Sequence, residues 1–136
     1  MSHTITGVLL HHGRITRTTI TSTPTTPQYR AIQQTLGAHT FDVFGLRDGI
    51  DLFIDDEGAI NGSPLNLAAT VLAHTLGPGA VLFGAALLLA TDSHGATISL
   101  TPQQEQTITA ALTAPGPDVL TTIAHTLHAA GLRVTS

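Results

Sequence analysis

Residues 80–90, AVLFGAALLLA, lie between Gly77-Pro78-Gly79 and Asp92-Ser93-His94-Gly95 and carry no polar residue on either face. In a water-soluble chain such a run must be covered on both sides, as a central strand or a buried helix. It is well short of the ~20 apolar residues that span a bilayer. The turn signals at both ends and Gly84 in the middle favour a strand over 80–90. The helix propensity of residues 85–90 keeps a buried helix as the alternative.

The rest of the chain arranges itself around that segment. Residues 2–10 and 15–22 read as strands joined by the turn-like His11-His12-Gly13-Arg14, with Ile5 and Leu9 on one face of the first strand and Val8 and Leu10 on the other. After the Thr/Pro breaker at 23–27, a short helix over 28–36 carries Tyr29, Ile32 and Leu36 as its stripe and ends at Gly37. Residues 41–46 and 50–54 flank Asp48-Gly49, a type I′ hairpin signal, and the acidic turn Asp55-Asp56-Glu57-Gly58 closes that unit. The next helix runs to about Leu76, capped by Ser63 or by Asn66, with Leu67, Val71, Leu72 and Thr75 as its stripe.

Residues 96–100 alternate as a strand folding back on 87–91, and Thr101-Pro102-Gln103-Gln104 is a capping box that starts a helix burying Ile108, Ala111 and Leu112. A Pro/Gly breaker at 114–117 precedes a last helix over 118–130, with Val119, Leu120, Ile123, Ala124 and Leu127 turned inward. The order predicts a single α+β domain over 1–136, a mostly antiparallel sheet of about six strands with helices packed on one face.

Composition removes many chemistries. At 136 residues the chain suits one domain with one core. It has no Cys, which excludes disulfides, thiolate metal sites and thiol nucleophiles and fits a reducing cytosol. With no charged and apolar leader after Met1, a cytoplasmic protein is expected. Lys is also absent, so Schiff-base chemistry and a P-loop lysine are excluded. The five Arg residues (14, 17, 30, 47 and 133) are spread along a chain of net charge -4 without Trp, so direct nucleic-acid binding is not expected.

Among the remaining groups, His11, His12, Asp92 and His94 are the metal candidates, because Asp92-x-His94 places two ligands on one side of an extended segment. Each pair reads first as ordinary turn residues. His125 and His128 have chelating i, i+3 spacing but no third ligand in view, which makes them a solvated helix face. The 55–58 turn lacks calcium-loop spacing. Neither G-x-S-x-G nor a strand-following G-x-G-x-x-G occurs. No catalytic residue and no cofactor is expected.

Several features recur together: the Leu36-Gly37 helix end, the 41–57 hairpin, Gly62-x-Pro64-x-Asn66-x-x-Ala69, the 80–88 segment with Gly84, the Asp92 turn and the Ser99-Leu100-Thr101-Pro102 helix start. On these residues the span 29–104 resembles the bacterial and phage domain-of-unknown-function family number 3846. The resemblance implies an accessory protein of phage, plasmid or actinobacterial origin with no agreed activity, and it singles out Asn66. The helix over 118–130 lies beyond that core and, with the Thr/Ala-rich surface, fits a specialised or oligomerising variant.

The expected function is a non-enzymatic accessory or interaction protein acting through a protein partner or itself, since only 10% of residues are charged and 42% are apolar. Asn66, Asp55, Asp56 and Glu57 are the interaction candidates. One alternative is a counter-defence or DNA-linked regulator presenting an acidic edge built from Asp48, Asp51, Asp55, Asp56 and Glu57. A second is a His/Asp metal-dependent hydrolase.

Overall fold

The computed structural model describes residues 2–58, 60–129 and 131. Its elements are β1 (His3–His11), β2 (Arg14–Ser22), α1 (Gln28–Leu36), β3 (Phe41–Gly45), β4 (Ile50–Asp55), α2 (Leu67–Leu76), β5 (Ala86–Thr91), β6 (Thr97–Ile98), α3 (Pro102–Thr113) and α4 (Pro117–Ala129). The strands form one antiparallel sheet in the order β2-β1-β5-β4-β3, with β6 pairing β5 beside β1. This is the single α+β domain the sequence predicts. Ala130 of the last expected helix and Arg133 lie outside the described residues.

β5 is the centre of the sheet, and its core residues Leu87, Leu88 and Leu89 are all 0% exposed. The strand is nonetheless shorter than the apolar run. It begins at Ala86, because Gly84 takes φ +85, a left-handed conformation that turns the chain out of the sheet. Residues 80–85 run instead along the 64–66 segment: Leu65 bridges Phe83, Asn66 N–H donates to Leu82 O at 2.8 Å, and Gly84 N–H donates to Pro64 O at 2.9 Å. A strand over the whole of 80–90 is therefore corrected to 86–91.

The two parities of β5 face two different cores. Ala86, Leu88 and Ala90 join Leu10, Leu52, Ile54, Leu72 and Ile108 under α2 and α3. Leu87 and Leu89 join Ile5, Ile20, Phe53, Ile32 and Leu36 under α1. Helices thus lie on both faces, not on one. A central strand apolar on both sides requires cover on both sides, and α1 supplies the second. At its edge Phe41 and Phe53 meet edge to face, ring centroids 5.5 Å apart.

Local signals set the element ends. Asp48 (φ 62) and Gly49 (φ 74) make the left-handed pair of the β3–β4 turn, and Gly37 (φ 66) ends α1. Thr101 and Gln104 form both halves of the capping box at α3. The start of α2 differs from one of the two expectations: its N-cap is Asn66, whose side chain accepts from Ala69 N–H, and Ser63 lies three residues upstream. The sixth strand is also shorter than 96–100. Only Thr97–Ile98 pairs with β5, and beyond it Leu100 N–H donates to Thr6 O while Ser99 Oγ accepts from Thr6 N–H. β1 crowds β5 just there: a Cβ on Gly7 would lie 2.4 Å from Leu88 O, so only glycine permits that approach.

Two helical stripes are narrower or rotated relative to expectation. Tyr29 is 54% exposed, and α1 buries Ala31, Ile32 and Leu36. α4 buries Ile123 and Leu127 against Val71 of α2, with Val119 beside them, while Leu120 and Ala124 stay exposed. The row 119, 123, 127 is the single i, i+4 line a helix offers when it lies on the back of other helices rather than in a core. α2, covered by the sheet, α3 and α4, buries far more of its surface than the expected stripe. No helix of the described residues is long and apolar enough to cross a membrane.

Candidate interaction surface

His11 and His12 lie at the β1–β2 turn with their rings stacked 3.7 Å apart. They border a cleft of about 390 Å³ that Arg14, Leu65, Asn66 and Ala68 also line. Partial burial, and then the neighbouring His12, hold the His11 imidazole below its usual 6.5. Asp92 and His94 are elsewhere. They lie in the β5–β6 turn, where Asp92 Oδ1 accepts the backbone N–H groups of His94 (2.8 Å) and Ala96 (2.9 Å). Leu10 pairs with Ala86 at the start of β5, so His11-His12 and the Asp92/His94 pair are separated by the length of that strand, on the order of 20 Å. Among the described residues no three His, Cys, Asp or Glu side chains are grouped to hold a metal ion. His125 and His128 are both exposed on α4.

Asn66 is fully engaged inside the fold. Its Oδ1 accepts from Ala69 N–H at 3.0 Å, and its Nδ2 donates to Leu10 O at 3.0 Å and to Gly84 O at 2.8 Å. Both amide donors are used. Thr70, the one buried polar residue among those described, extends the same knot: its hydroxyl donates to Asn66 O and accepts from Leu82 N–H.

The acids divide between the two ends of β4. Asp48 lies in the hairpin turn, where Gln104 Nε2 donates to its carbonyl at 2.8 Å. Asp51 accepts the Thr91 hydroxyl within the sheet. At the far end Asp55 accepts from Glu57 N–H (2.9 Å) and Asn61 Nδ2 (3.0 Å), and Asp56 accepts from Thr40 Oγ1 (2.5 Å). Asp42 joins this end because Phe41 is paired with Asp55. Nothing local marks Asp42; only the strand register brings it there.

Of the sheet's two edges the longer is β2, nine residues long and mostly exposed. Its ladder to β1 is continuous from His3↔Ser22 to His11↔Arg14, closed by the left-handed pair His12 (φ 53) and Gly13 (φ 73). In a two-residue hairpin the flanking pair is hydrogen bonded, and alternation then points the N–H and C=O groups of Ile15, Arg17, Thr19 and Thr21 away from β1. Thr6 confirms the phase. It is the partner of Thr19, and its N–H and C=O both point away from β2, to Ser99 and Leu100.

Only Ile20 of the strand is buried, and Ile15 is 59% exposed. Proteins blunt such edges with Pro, charged side chains, bulges or covering segments. β2 has no Pro and its ladder shows no bulge; its charges are Arg14 at the turn and Arg17, which is drawn toward Glu105 of α3. The opposite edge, β3, is only five residues long and carries Asp42. Length, composition and an uninterrupted ladder together distinguish β2; in the sequence the Thr- and Ile-rich 15–22 marks a strand, and nothing local marks it as an edge.

The domain-of-unknown-function family DUF3846 matches residues 5–113, and the chain belongs to that family. No curated protein and no solved structure matches it.

Proposed function

We propose that this DUF3846 domain is a non-enzymatic interaction module of the cytoplasm that binds a protein partner by strand addition along β2. It serves as an accessory protein of phage, plasmid or other horizontally acquired DNA. The observation that carries the reading is the open edge: four residues, Ile15, Arg17, Thr19 and Thr21, turn both backbone groups to solvent along a strand without Pro or bulge. In strand addition those main-chain groups supply affinity, and the flanking side chains supply selectivity. The flanking side chains here are Thr, Ile and Arg, which suit an extended, β-branched partner segment.

The geometry favours neither alternative. The acids gather at two ends of β4 rather than on one edge, and the His11-His12 and Asp92/His94 pairs are a strand length apart. The test compares tagged protein with a Thr19→Lys variant for the proteins each retains from host lysate. A defined protein retained by the parent chain and lost by the variant supports strand addition. Identical retained sets overturn it, as does a parent chain that retains no protein and does not self-associate.

A further inference from the structure

We infer that the segment seated on the β2 edge is the β2 strand of a second copy of this chain, paired antiparallel about a two-fold axis at Thr18. This rests on the reading of that edge as the docking surface. A two-fold contact must be self-complementary, so each residue is tied to its mate by one sum of residue numbers. Only Ile15, Arg17, Thr19 and Thr21 present outward N–H and C=O groups, so an allowed register pairs these residues with one another.

With the axis at Thr18, Ile15 meets the partner's Thr21 and Arg17 meets the partner's Thr19, and every outward group on both copies is used. An axis at Arg17 sets the two Arg17 side chains opposite each other, which like-charge repulsion disfavours. An axis at Thr19 places Ile15 opposite a residue past the end of the strand and leaves its donor and acceptor unmatched.

The register at Thr18 also satisfies the side chains. It sets β-branched Ile15 against Thr21 and Thr16 against Ile20, which are favourable cross-strand pairs. The charges on the strand are Arg14 and Arg17, and in this register they stand opposite the partner's Ser22 and Thr19 rather than opposite each other. Arg17 is already engaged, donating to Glu105 of α3 at 2.5 Å. Ile15, Thr16, Arg17, Thr19 and Thr21 are exposed and Thr18 is half-buried, while α1 packs over Ile20, Ile5 and the inner strands. The product is one continuous sheet in which the five-strand path becomes ten.

The test uses the full chain. Sedimentation of the untagged protein over a micromolar to millimolar range should show a monomer–dimer equilibrium. Thr19→Pro removes a donor that points away from β1 and leaves the internal ladder intact, as edge strands tolerate. It should weaken the dimer at least tenfold while circular dichroism stays unchanged. The absence of Cys makes the register directly readable.

Thr18→Cys should form a disulfide-linked dimer on mild oxidation, because non-hydrogen-bonded mates across the axis lie ~4.5 Å apart at Cα, within disulfide reach. Thr16→Cys should not, since the two copies of that residue are about 13 Å apart in this register. Thr18→Cys failing to crosslink, or a parent chain monomeric throughout, overturns the inference. If the chain is monomeric yet Thr19→Lys still abolishes retention of a defined protein, the edge remains the docking surface and only its self-pairing falls. A dimer that Thr19→Pro leaves unchanged removes β2 as its interface and overturns the inference.

Discussion

The Asn66 side chain donates to the backbone carbonyl of Gly84 at 2.8 Å, across the gap between the start of α2 and the bend that leads into β5. The same amide reaches Leu10 O at the end of β1 and caps α2 through Ala69 N–H. One side chain therefore ties together the helix start, the edge-side hairpin and the bend that ends the apolar segment. Asn66→Ala should remove the cap together with the side-chain donors to Leu10 O and Gly84 O, costing about 3 kcal/mol. Asn66→Ser should restore only the cap and recover about 1 kcal/mol. Urea unfolding of the three proteins measures both values, and equal stability of the Ala variant and the parent would refute the knot.

Gly7 and Gly45 make a paired test of close approach. A Cβ on Gly7 would press on Leu88 O at 2.4 Å, whereas on Gly45 its nearest neighbour is 4.0 Å away. Gly7→Ala should lose about 2 kcal/mol or more through forced separation of β1 from β5. Gly45→Ala should change stability by roughly 0.5 kcal/mol or less, in either direction. Thermal melts read the contrast.

α4 is held through two residues. Ile123 and Leu127 are buried against Val71, while Leu120 is 45% exposed. Leu127→Ala should cost about 2–4 kcal/mol. Leu120→Ala should stay within about 0.5 kcal/mol. Amide exchange on the Leu127 variant should show the loss concentrated in α4, since α1 and its core lie on the other side of the sheet.

Stability should fall on mild acidification, with His11 as one contributor. Its folded value lies below 6.5, so the unfolded chain binds a proton more readily between that lowered value and 6.5. Above 6.5 neither state is protonated and the term is absent. As pH falls from 6.5 through the folded value, folding must exclude the proton and stability declines. His11→Gln should flatten that part of the stability-versus-pH curve, and His12→Asn should raise the His11 midpoint seen by NMR. An unchanged slope in His11→Gln would remove His11 from the account.

The Arg17–Glu105 pair joins a 68% exposed arginine to α3. Solvent screens it, so Arg17→Ala should cost under about 1 kcal/mol, and less at high salt. Its effect on dimerisation should also be small, because the contact proposed there is made by the Arg17 backbone.

Much of the local structure was already written in neighbouring residues. Thr101 with Gln104, Asp48 with Gly49, and Gly37 after Leu36 each act within a turn or two of chain, so their outcome follows from sequence spacing alone. The absence of Cys and Lys excluded whole classes of chemistry with no structure needed. The apolar segment demanded burial on both faces for the same reason: no arrangement in water leaves Leu87 or Leu88 uncovered without cost.

What depended on the tertiary structure was everything set by partners distant in the chain. Gly84 could not be read as a bend until Pro64 and Asn66 were beside it, and α1 could not be assigned a face until the parity of Phe53, Leu87 and Leu89 was known. Tyr29 and Leu120 had the right helical spacing yet stayed in solvent, because a stripe is buried only as far as its neighbour extends. Strand order is the clearest case. Each strand signal lies in its own residues, but which strand ends as an edge depends on all the pairings together. That choice leaves β2 open and places β5 at the centre.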